Sequence, residues 1–256
     1  MNLKDNSVLV TAGASGLGRE IALEMARRGA DVTVWDVNDD SLLSLDALAK
    51  ENSLLLACRK VDLLEQESVE NEFTFWDSKE SSRRILVNNA GGSLNAPPHF
   101  LEETEDDWGR VINLNLLAMV RLTQLVIPSM IQRNYGRIVN LGSKAGRYGS
   151  LFASPSYVAV KGAIHALTLQ LAQEFGPNGI TCNAVCPGAT MTDRVKHLLE
   201  QRQTPERRAE VLKTIPLRRH GEVMDIASAV CFLASPEAGF ITGVLLDVNG
   251  GQGMST

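Results

Sequence analysis

The sequence predicts an α/β protein in which helices cover both faces of one parallel, doubly wound β-sheet. Short apolar runs rich in β-branched residues alternate with longer amphipathic segments along the whole chain. A glycine-rich turn follows the first apolar run, and polar residues follow several of the later ones. No linker or internal repeat divides the 256 residues, so we expect a single domain spanning residues 1–256.

Composition narrows the class of protein. The net charge of −5 indicates neither a nucleic-acid partner nor a membrane surface. The start of the chain lacks the features of a signal peptide, and polar residues interrupt the most apolar stretch, 111–131, so we expect no bilayer-spanning segment. The four cysteines form no Cys-x-x-Cys and the histidines are scattered, which predicts no metal site, no disulfide framework and a cytoplasmic location.

The first 36 residues predict a nucleotide-binding βαβ unit. A short strand at 8–10 precedes the turn 11–18, a helix follows to about Gly29, and a second strand ends at Asp36. Asp36 lies 36 − 18 = 18 residues after Gly18, close to the spacing of an acid that binds the adenosine ribose. The alternative is an ordinary strand–turn–helix. The cofactor contacts predicted here are Gly13, Ser15, Gly16, Leu17, Gly18 and Asp36.

The remaining elements continue the same alternation. Further strands are predicted at 54–61, 85–87, 137–141, 180–185 and 244–246. Further helices are predicted at 39–50, 66–80, from Thr104 onward, at 154–175 and at 223–234. The polar segment at about 189–215 is predicted to form a helical lid over a substrate. Residues 193–213 carry six basic and four acidic side chains, 6 − 4 = +2, which suits either an anionic substrate or a solvated amphipathic helix.

Tyr157 and Lys161 are four residues apart, so they share one face of a helix. An ammonium at that distance is expected to lower the tyrosine pKa and prepare the phenol for proton transfer. Ser143 follows the strand 137–141 and would reach the same edge of the sheet. The alternative is a surface tyrosine beside a solvated lysine. Asn113 and Asn115 lie in an apolar helix, where one of them is either structural or part of a site.

Taken together, these motifs resemble the short-chain dehydrogenase/reductase family, and the resemblance covers essentially the whole chain. It rests on Thr11 to Gly18, Asp62, Asn88 to Gly91, Asn115, Ser143, Tyr157 with Lys161, Asn183, Pro187-Gly188 and Asp247 to Gly251. It implies a Rossmann-type fold, with Tyr157 as acid/base and Ser143 holding the substrate oxygen. It further implies that Lys161 binds the nicotinamide ribose and tunes Tyr157, and that Asn115 orders a water. The further cofactor contacts it implies are Asp62, Leu63, Asn89, Ala90, Gly91, Tyr157, Lys161, Pro187, Gly188, Thr190 and Thr192.

The expected function is hydride transfer between NAD(H) and a secondary alcohol or ketone. Asp36 disfavours NADP(H), because its carboxylate would face a 2′-phosphate. One alternative is a 3-oxoacyl-thioester reductase, which much of the family resembles. A non-enzymatic alternative is an idle nucleotide-sensing or scaffold protein on the same fold. Two helices, from Glu105 and around Tyr157, are apolar nearly all round, and this together with the resemblance predicts a homotetramer.

The sequence departs from the family pattern at two positions. The glycine motif usually begins Thr-Gly, whereas Ala12 follows Thr11 here, and we expect a slightly different turn and weaker cofactor binding. The residue before Ser143 is often serine and is Gly142 here, for which we expect no functional cost. Arg147 and Tyr148 either face the substrate or belong to a surface turn. His165 shows no pattern that assigns it a role.

Overall fold

A computed structural model describes residues 1–79, 81, 83–202 and 204–254. Within them, seven parallel strands form one sheet in the order β3-β2-β1-β4-β5-β6-β7. Strands β1 to β3 extend to one edge of the sheet, and the chain then returns to place β4 on the other side of β1. The sheet is therefore doubly wound, as predicted. The strands are β1 (Asn6–Thr11), β2 (Asp31–Asp36), β3 (Leu56–Lys60), β4 (Arg83–Asn88), β5 (Gly136–Leu141), β6 (Ile180–Pro187) and β7 (Leu245–Val248).

Helices connect successive strands. They are α1 (Gly16–Arg27), α2 (Asp39–Glu51), α3 (Gln66–Asp77), α4 (Glu105–Ile112), α5 (Ala118–Gln132), α6 (Ala145–Tyr148), α7 (Pro155–Phe175), α8 (Asp193–Arg202), α9 (Pro205–Thr214) and α10 (Val223–Ala234). The predicted caps are present, because Thr104 and Asp107 form a capping box and Ser154 caps α7 with Pro155 at its first position. The predicted lid corresponds to α8 and α9.

Two hydrophobic layers enclose the sheet. Helices α1, α2 and α10 pack on one face, and α3, α5 and α7 pack on the other. Side chains of β1 alternate between them, since Val8 and Val10 point into the first layer and Leu9 into the second. The apolar strands are thus buried on both faces, as a parallel sheet requires.

The long helix predicted from Thr104 is interrupted by one π-helical turn, Asn113–Leu117. The backbone N–H of Ala118 donates to the carbonyl of Asn113, five residues earlier, instead of four. The side chain of Asn115 donates to the carbonyl of Val111 at 2.8 Å, and this carbonyl would accept the Asn115 backbone N–H in a regular helix. The Asn115 side chain thus replaces one backbone hydrogen bond of the helix. Hydrophobic periodicity does not report such a replacement, so the sequence pattern did not reveal the interruption.

Other boundaries also differ from the predictions. Strand β3 is shorter at both ends, α3 ends at Asp77, and β7 begins one residue later than predicted. Residue 80, the predicted end of α3, lies outside the described residues. By length and composition, with a mean hydropathy of 1.5, the stretch Glu105–Gln132 is sufficient to cross a membrane, so the expectation is wrong in its premise that no stretch is long and apolar enough. Half of its most apolar window is buried inside the fold, and core helices have the same composition.

Candidate active site

The carboxyl ends of β1, β4, β5 and β6 surround a cleft of about 450 Å³, with the first residues of the lid on its far side. Most predicted site residues line it: Ser15, Gly16, Leu17, Gly18, Asn89, Gly91, Ser143, Tyr157, Lys161, Pro187, Gly188, Thr190 and Thr192. It is also lined by residues that sequence reasoning did not assign to a site, namely Ala12, Gly92, Leu141, Gly142, Asp193, Arg194 and Val195. Reasoning by motif missed them because, apart from Ala12, they belong to no motif that was recognised in the sequence, and the fold brings them to the cleft.

Residues 12–18 form what we term the glycine-rich end of the cleft. Ala12 adopts a φ of 47° and Gly16 a φ of 54°, both in the left-handed region. A Cβ at Gly18 would lie 2.3 Å from the carbonyl oxygen of Ala12, so only glycine fits there. At Gly13 a side chain is disfavoured by a different neighbour, since a Cβ would lie 2.8 Å from Cγ1 of Val34. These glycines leave an open backbone cradle at the start of α1, which fits a pyrophosphate.

Asn89 and Thr11 tie this loop to the end of β4. The amide nitrogen of Asn89 donates to the carbonyls of Thr11 and Ala12 at 3.0 and 2.9 Å. The hydroxyl of Thr11 accepts from the backbone N–H groups of Asn89 and Ala90 at 3.0 and 3.1 Å. The Asn89 side chain therefore braces the loop that would hold the cofactor, and its amide donors are already used.

Asp36 ends β2 beside the same loop. One carboxylate oxygen accepts the N–H of Ala14 at 3.0 Å, and the other accepts the N–H of Asn38 at 3.1 Å. Lys60 is the neighbour of Asp36 in the sheet, but its ammonium pairs with Asp39 at 2.6 Å. The Asp36 carboxylate is thus fixed at the rim without direct pairing to this lysine.

Gly142, Ser143, Tyr157 and Lys161 form what we term the tyrosine end of the cleft. Lys161 is buried, donates to the carbonyl of Leu141 at 2.6 Å and lies 5.5 Å from the centre of the Tyr157 ring. Burial lowers the Lys161 pKa to about 8. Burial also raises the Tyr157 pKa, opposed by a hydrogen bond with Ser143 and by the charge of Arg194. The Tyr157 pKa is therefore raised rather than lowered as expected, because desolvation outweighs the Ser143 hydrogen bond and the charge of Arg194.

Asn115, at the π turn, connects the tyrosine end of the cleft to the segment that follows β4. It is 1% exposed, its amide oxygen accepts the N–H of Gly92 at 2.9 Å, and its amide nitrogen donates to the Gly92 carbonyl at 3.0 Å. A Cβ at Gly91 would lie 2.3 Å from the Asn115 oxygen and 3.6 Å from Nζ of Lys161. Asn113 is exposed. Of the two asparagines, Asn115 is the one buried next to the site.

His165, to which the sequence assigned no role, lies directly behind Ser143. Its Nε2 accepts the backbone N–H of Ser143 at 3.3 Å and is 3.3 Å from Sγ of Cys186. Burial lowers the His165 pKa to about 4, which keeps the imidazole neutral and able to accept. A Cβ at Gly142 would lie 2.4 Å from Nε2, so the glycine makes room for the imidazole. Gly142, which departs from the family pattern, and His165 therefore belong to one packing arrangement.

The start of the lid closes the cleft at two places. Thr190 is buried and bridges to Gly221, which anchors the lid to the chain after α9. A Cβ at Gly16 would lie 3.6 Å from Cγ2 of Thr192, so Thr192 covers the glycine-rich end. A Cβ at Gly92 would lie 2.7 Å from Nη1 of Arg194, so the Arg194 guanidinium covers the tyrosine end.

Several predicted residues lie beside the cleft rather than in its lining. Leu63, Ala90 and Asn115 line a small cavity next to it, and Asp62 is exposed at the end of β3, where it accepts the N–H of Leu64 at 2.9 Å. Arg147 and Tyr148 both bind the carboxylate of Asp247, each at 3.0 Å. This pairing anchors α6 to the end of β7 and answers the question left open by the sequence.

Comparisons with known proteins agree with this architecture. A family model described as Enoyl-(Acyl carrier protein) reductase matches residues 11–253. The chain is 36% identical over 256 residues to a 2,3-dihydroxy-2,3-dihydro-p-cumate dehydrogenase of Pseudomonas putida, covering 98% of this chain and 96% of the relative. It is 35% identical over 254 residues to the 3-oxoacyl-(acyl-carrier-protein) reductase FabG of Vibrio harveyi, covering 99% of this chain and 100% of the relative.

The same fold is present in solved structures. A short-chain type dehydrogenase/reductase from Mycobacterium ulcerans superposes with a TM-score of 0.91 at 26% identity, covering 98% of this chain and 91% of that one. Sequence and structure therefore match over nearly the full length of the chain. The chain belongs to the short-chain dehydrogenase/reductase family and is an oxidoreductase that acts on an alcohol or ketone with a nicotinamide cofactor.

Proposed function

We propose that this enzyme transfers a hydride between NAD(H) and a secondary alcohol or ketone, with Tyr157 as acid/base. The observation that carries the proposal is the convergence of Ser143, Tyr157 and buried Lys161 on one cleft with the glycine-rich loop. The bound nicotinamide would accept or donate the hydride. The idle-scaffold alternative gives no reason to bury a lysine beside a tyrosine in an open cleft, since burial of an ammonium is costly.

The chain's own residues would supply position and a proton. In the reductive direction, the Tyr157 hydroxyl gives its proton to the substrate oxygen, and in the oxidative direction the phenolate takes it back. The Ser143 hydroxyl holds the same oxygen. The raised pKa of Tyr157 keeps the phenol protonated, as the reductive direction requires, and also makes it a weaker acid than an exposed tyrosine. Lys161 and Asn115 would connect this proton to solvent through the cofactor ribose and a bound water.

The proposed cofactor is NAD(H) rather than NADP(H). The fixed Asp36 carboxylate at the rim would accept hydrogen bonds from ribose hydroxyls and repel a 2′-phosphate. The remaining proposed cofactor contacts are Gly13, Ser15, Gly16, Leu17, Gly18, Asp62, Leu63, Asn89, Ala90, Gly91, Tyr157, Lys161, Pro187, Gly188, Thr190 and Thr192. For Asn89, whose amide donors brace the loop, the proposed role is to hold the cradle in shape.

A panel assay tests this function. Secondary alcohols with NAD and the matching ketones with NADH would be followed at 340 nm, with the Tyr157→Phe variant as control. We expect turnover of some members by the wild type and none above background by the variant. NADH binding by both proteins without turnover of any member would contradict the enzymatic proposal and favour a sensing role.

A second candidate is reduction of a 3-oxoacyl thioester, with an acyl carrier protein as partner. The observation in its favour is the 35% identity to the Vibrio harveyi reductase over the full length of that protein. Acetoacetyl-CoA, a soluble 3-oxoacyl thioester, belongs in the same panel. A kcat/KM well above that of every simple ketone would favour this candidate.

We also propose that the enzyme is a cytoplasmic homotetramer. Leu117, at the π turn before α5, is 42% exposed and Leu169 on α7 is 41% exposed, which leaves apolar surface on the two helices singled out by the sequence. Pairing of the same helices between copies would cover it. The four cysteines are free, as in a reducing compartment. Light scattering at micromolar concentration is expected to give four times the mass of 27.8 kDa for one chain. A mass near 27.8 kDa would contradict the proposal.

A further inference from the structure

The lid places two different side chains over the two ends of the cleft. Thr192 covers Gly16 at the glycine-rich end, where the pyrophosphate of the proposed cofactor would lie. Arg194, two residues later, covers Gly92 at the other end, where the Ser143, Tyr157 and Lys161 side chains meet. The arginine is therefore displaced from the pyrophosphate cradle toward the place where the substrate would react.

Arg194 is available to bind a ligand. Among the described residues it forms no ion pair and no hydrogen bond, although its guanidinium packs against the Gly92 backbone. Of the described residues that line the cleft, Asp193 is the one carboxylate, against the cations Lys161 and Arg194. Gly92 follows Gly91, where an added Cβ would lie 3.6 Å from Nζ of Lys161, so Arg194 lies close to the reacting groups. Its charge lowers the pKa of both Tyr157 and Lys161. The tyrosine end of the cleft is therefore positively charged.

We propose that Arg194 binds a carboxylate on the substrate, so that the enzyme acts on a hydroxy acid or oxo acid anion. A planar guanidinium whose N–H groups form no hydrogen bond with the described residues is suited to a bidentate hydrogen bond with a carboxylate. The inference rests on the proposed function of the site and adds a substrate class to it. The sequence showed an excess of positive charge over the whole lid. The inference assigns the binding of the substrate carboxylate to one of these cations, Arg194.

The test compares acids with their neutral esters. The probes are 4-oxopentanoate and 3-oxobutanoate, each paired with its methyl ester, assayed with NADH against wild type and Arg194→Gln. Lys196→Gln is the matched control, because it removes one positive charge from the same helix at a residue that does not line the cleft. Arg194→Lys tests whether a charge without the planar fork partly restores activity. NADH dissociation constants are measured in parallel by fluorescence.

We expect the wild type to prefer the acids. Arg194→Gln should lower kcat/KM for the acids by about tenfold or more, mainly through KM, since a charged hydrogen bond is lost. The NADH dissociation constant and the Lys196→Gln variant should stay within about twofold of wild type, because neither involves the proposed contact. The ester values for Arg194→Gln should fall far less than the acid values, because Arg194 affects the esters only through its charge near Tyr157 and Lys161. Arg194→Lys should fall between wild type and Arg194→Gln.

Three results would overturn the inference alone. These are an equal loss on acids and esters, a weaker NADH affinity in Arg194→Gln that assigns the charge to the cofactor phosphates, and wild-type turnover confined to neutral ketones. Turnover of no compound, in either these pairs or the wider panel, would overturn the proposed function as well. The two failures are therefore distinguishable.

Discussion

At the glycine-rich end of the cleft, Ala12 holds a backbone conformation that glycine prefers, whereas at the tyrosine end Gly142 has no positive φ at all. Both residues depart from the family pattern, but for different physical reasons. Ala12 carries local strain of roughly 1–2 kcal/mol, because its Cβ crowds its own carbonyl in the left-handed region. Gly142 carries no such strain and instead leaves space for His165 on α7, which lies 165 − 142 = 23 residues later in the chain. Substitutions at the tyrosine end should therefore change kcat or kcat/KM, whereas substitutions at the glycine-rich end should change cofactor preference or stability.

The largest effect is expected at the tyrosine end. Tyr157→Phe should lower kcat by roughly 10³-fold, because the proposed acid/base group is removed while the ring keeps its packing. The NADH dissociation constant should change little, because the glycine-rich end is untouched. Steady-state kinetics and NADH fluorescence measure the two quantities separately. A wild-type kcat in this variant would remove Tyr157 from the proposed mechanism.

A smaller effect at the same end tests the pairing of Gly142 with His165. Gly142→Ser should lower kcat/KM by about tenfold, because overpacking of 1–3 kcal/mol displaces the imidazole that accepts the Ser143 N–H. His165→Ala in the same chain should restore part of this loss by making room for the serine. The double-mutant cycle, with His165→Ala alone as control, measures the coupling. Additive losses would show that the two positions are independent.

At the glycine-rich end, Asp36→Ala should change cofactor choice without changing the chemistry. The ratio of kcat/KM for NADH over NADPH should fall by on the order of tenfold, because repulsion of the 2′-phosphate is removed. The kcat with saturating NADH should stay near wild type. Kinetics with both cofactors and one substrate measure this ratio. A wild-type enzyme that uses both cofactors equally would contradict the role of Asp36.

The smallest effect is expected for Ala12→Gly. Relief of the positive φ should raise the free energy of unfolding by about 1 kcal/mol, net of the greater freedom of glycine in the unfolded chain. That corresponds to an increase in Tm of about 2–4 °C for a chain of this size. Differential scanning fluorimetry measures it, with Ala14→Gly as control because Ala14 has no positive φ. A lower Tm for Ala12→Gly would show that the turn is not strained.

The sequence by itself determined the class of the protein. Strand and helix order, the parallel sheet, the caps at Thr104 and Ser154 and the family follow from local patterns, and the structure and comparisons confirm them. The sequence also identified most residues that line the cleft. The glycine-rich turn, Ser143 and the Tyr157/Lys161 pair followed from chain order and local spacing, and the other lining residues followed from the family resemblance.

Tertiary structure decided what depends on residues distant in sequence. The π turn forms because Asn115 bonds to both Val111 and Gly92, and periodicity within one helix carries no record of Gly92. The raised Tyr157 pKa follows from burial by several elements, which a spacing of four residues does not report. His165 behind Ser143 and Arg194 over Gly92 were equally hidden, because packing between separate elements, and not local propensity, brings each pair together.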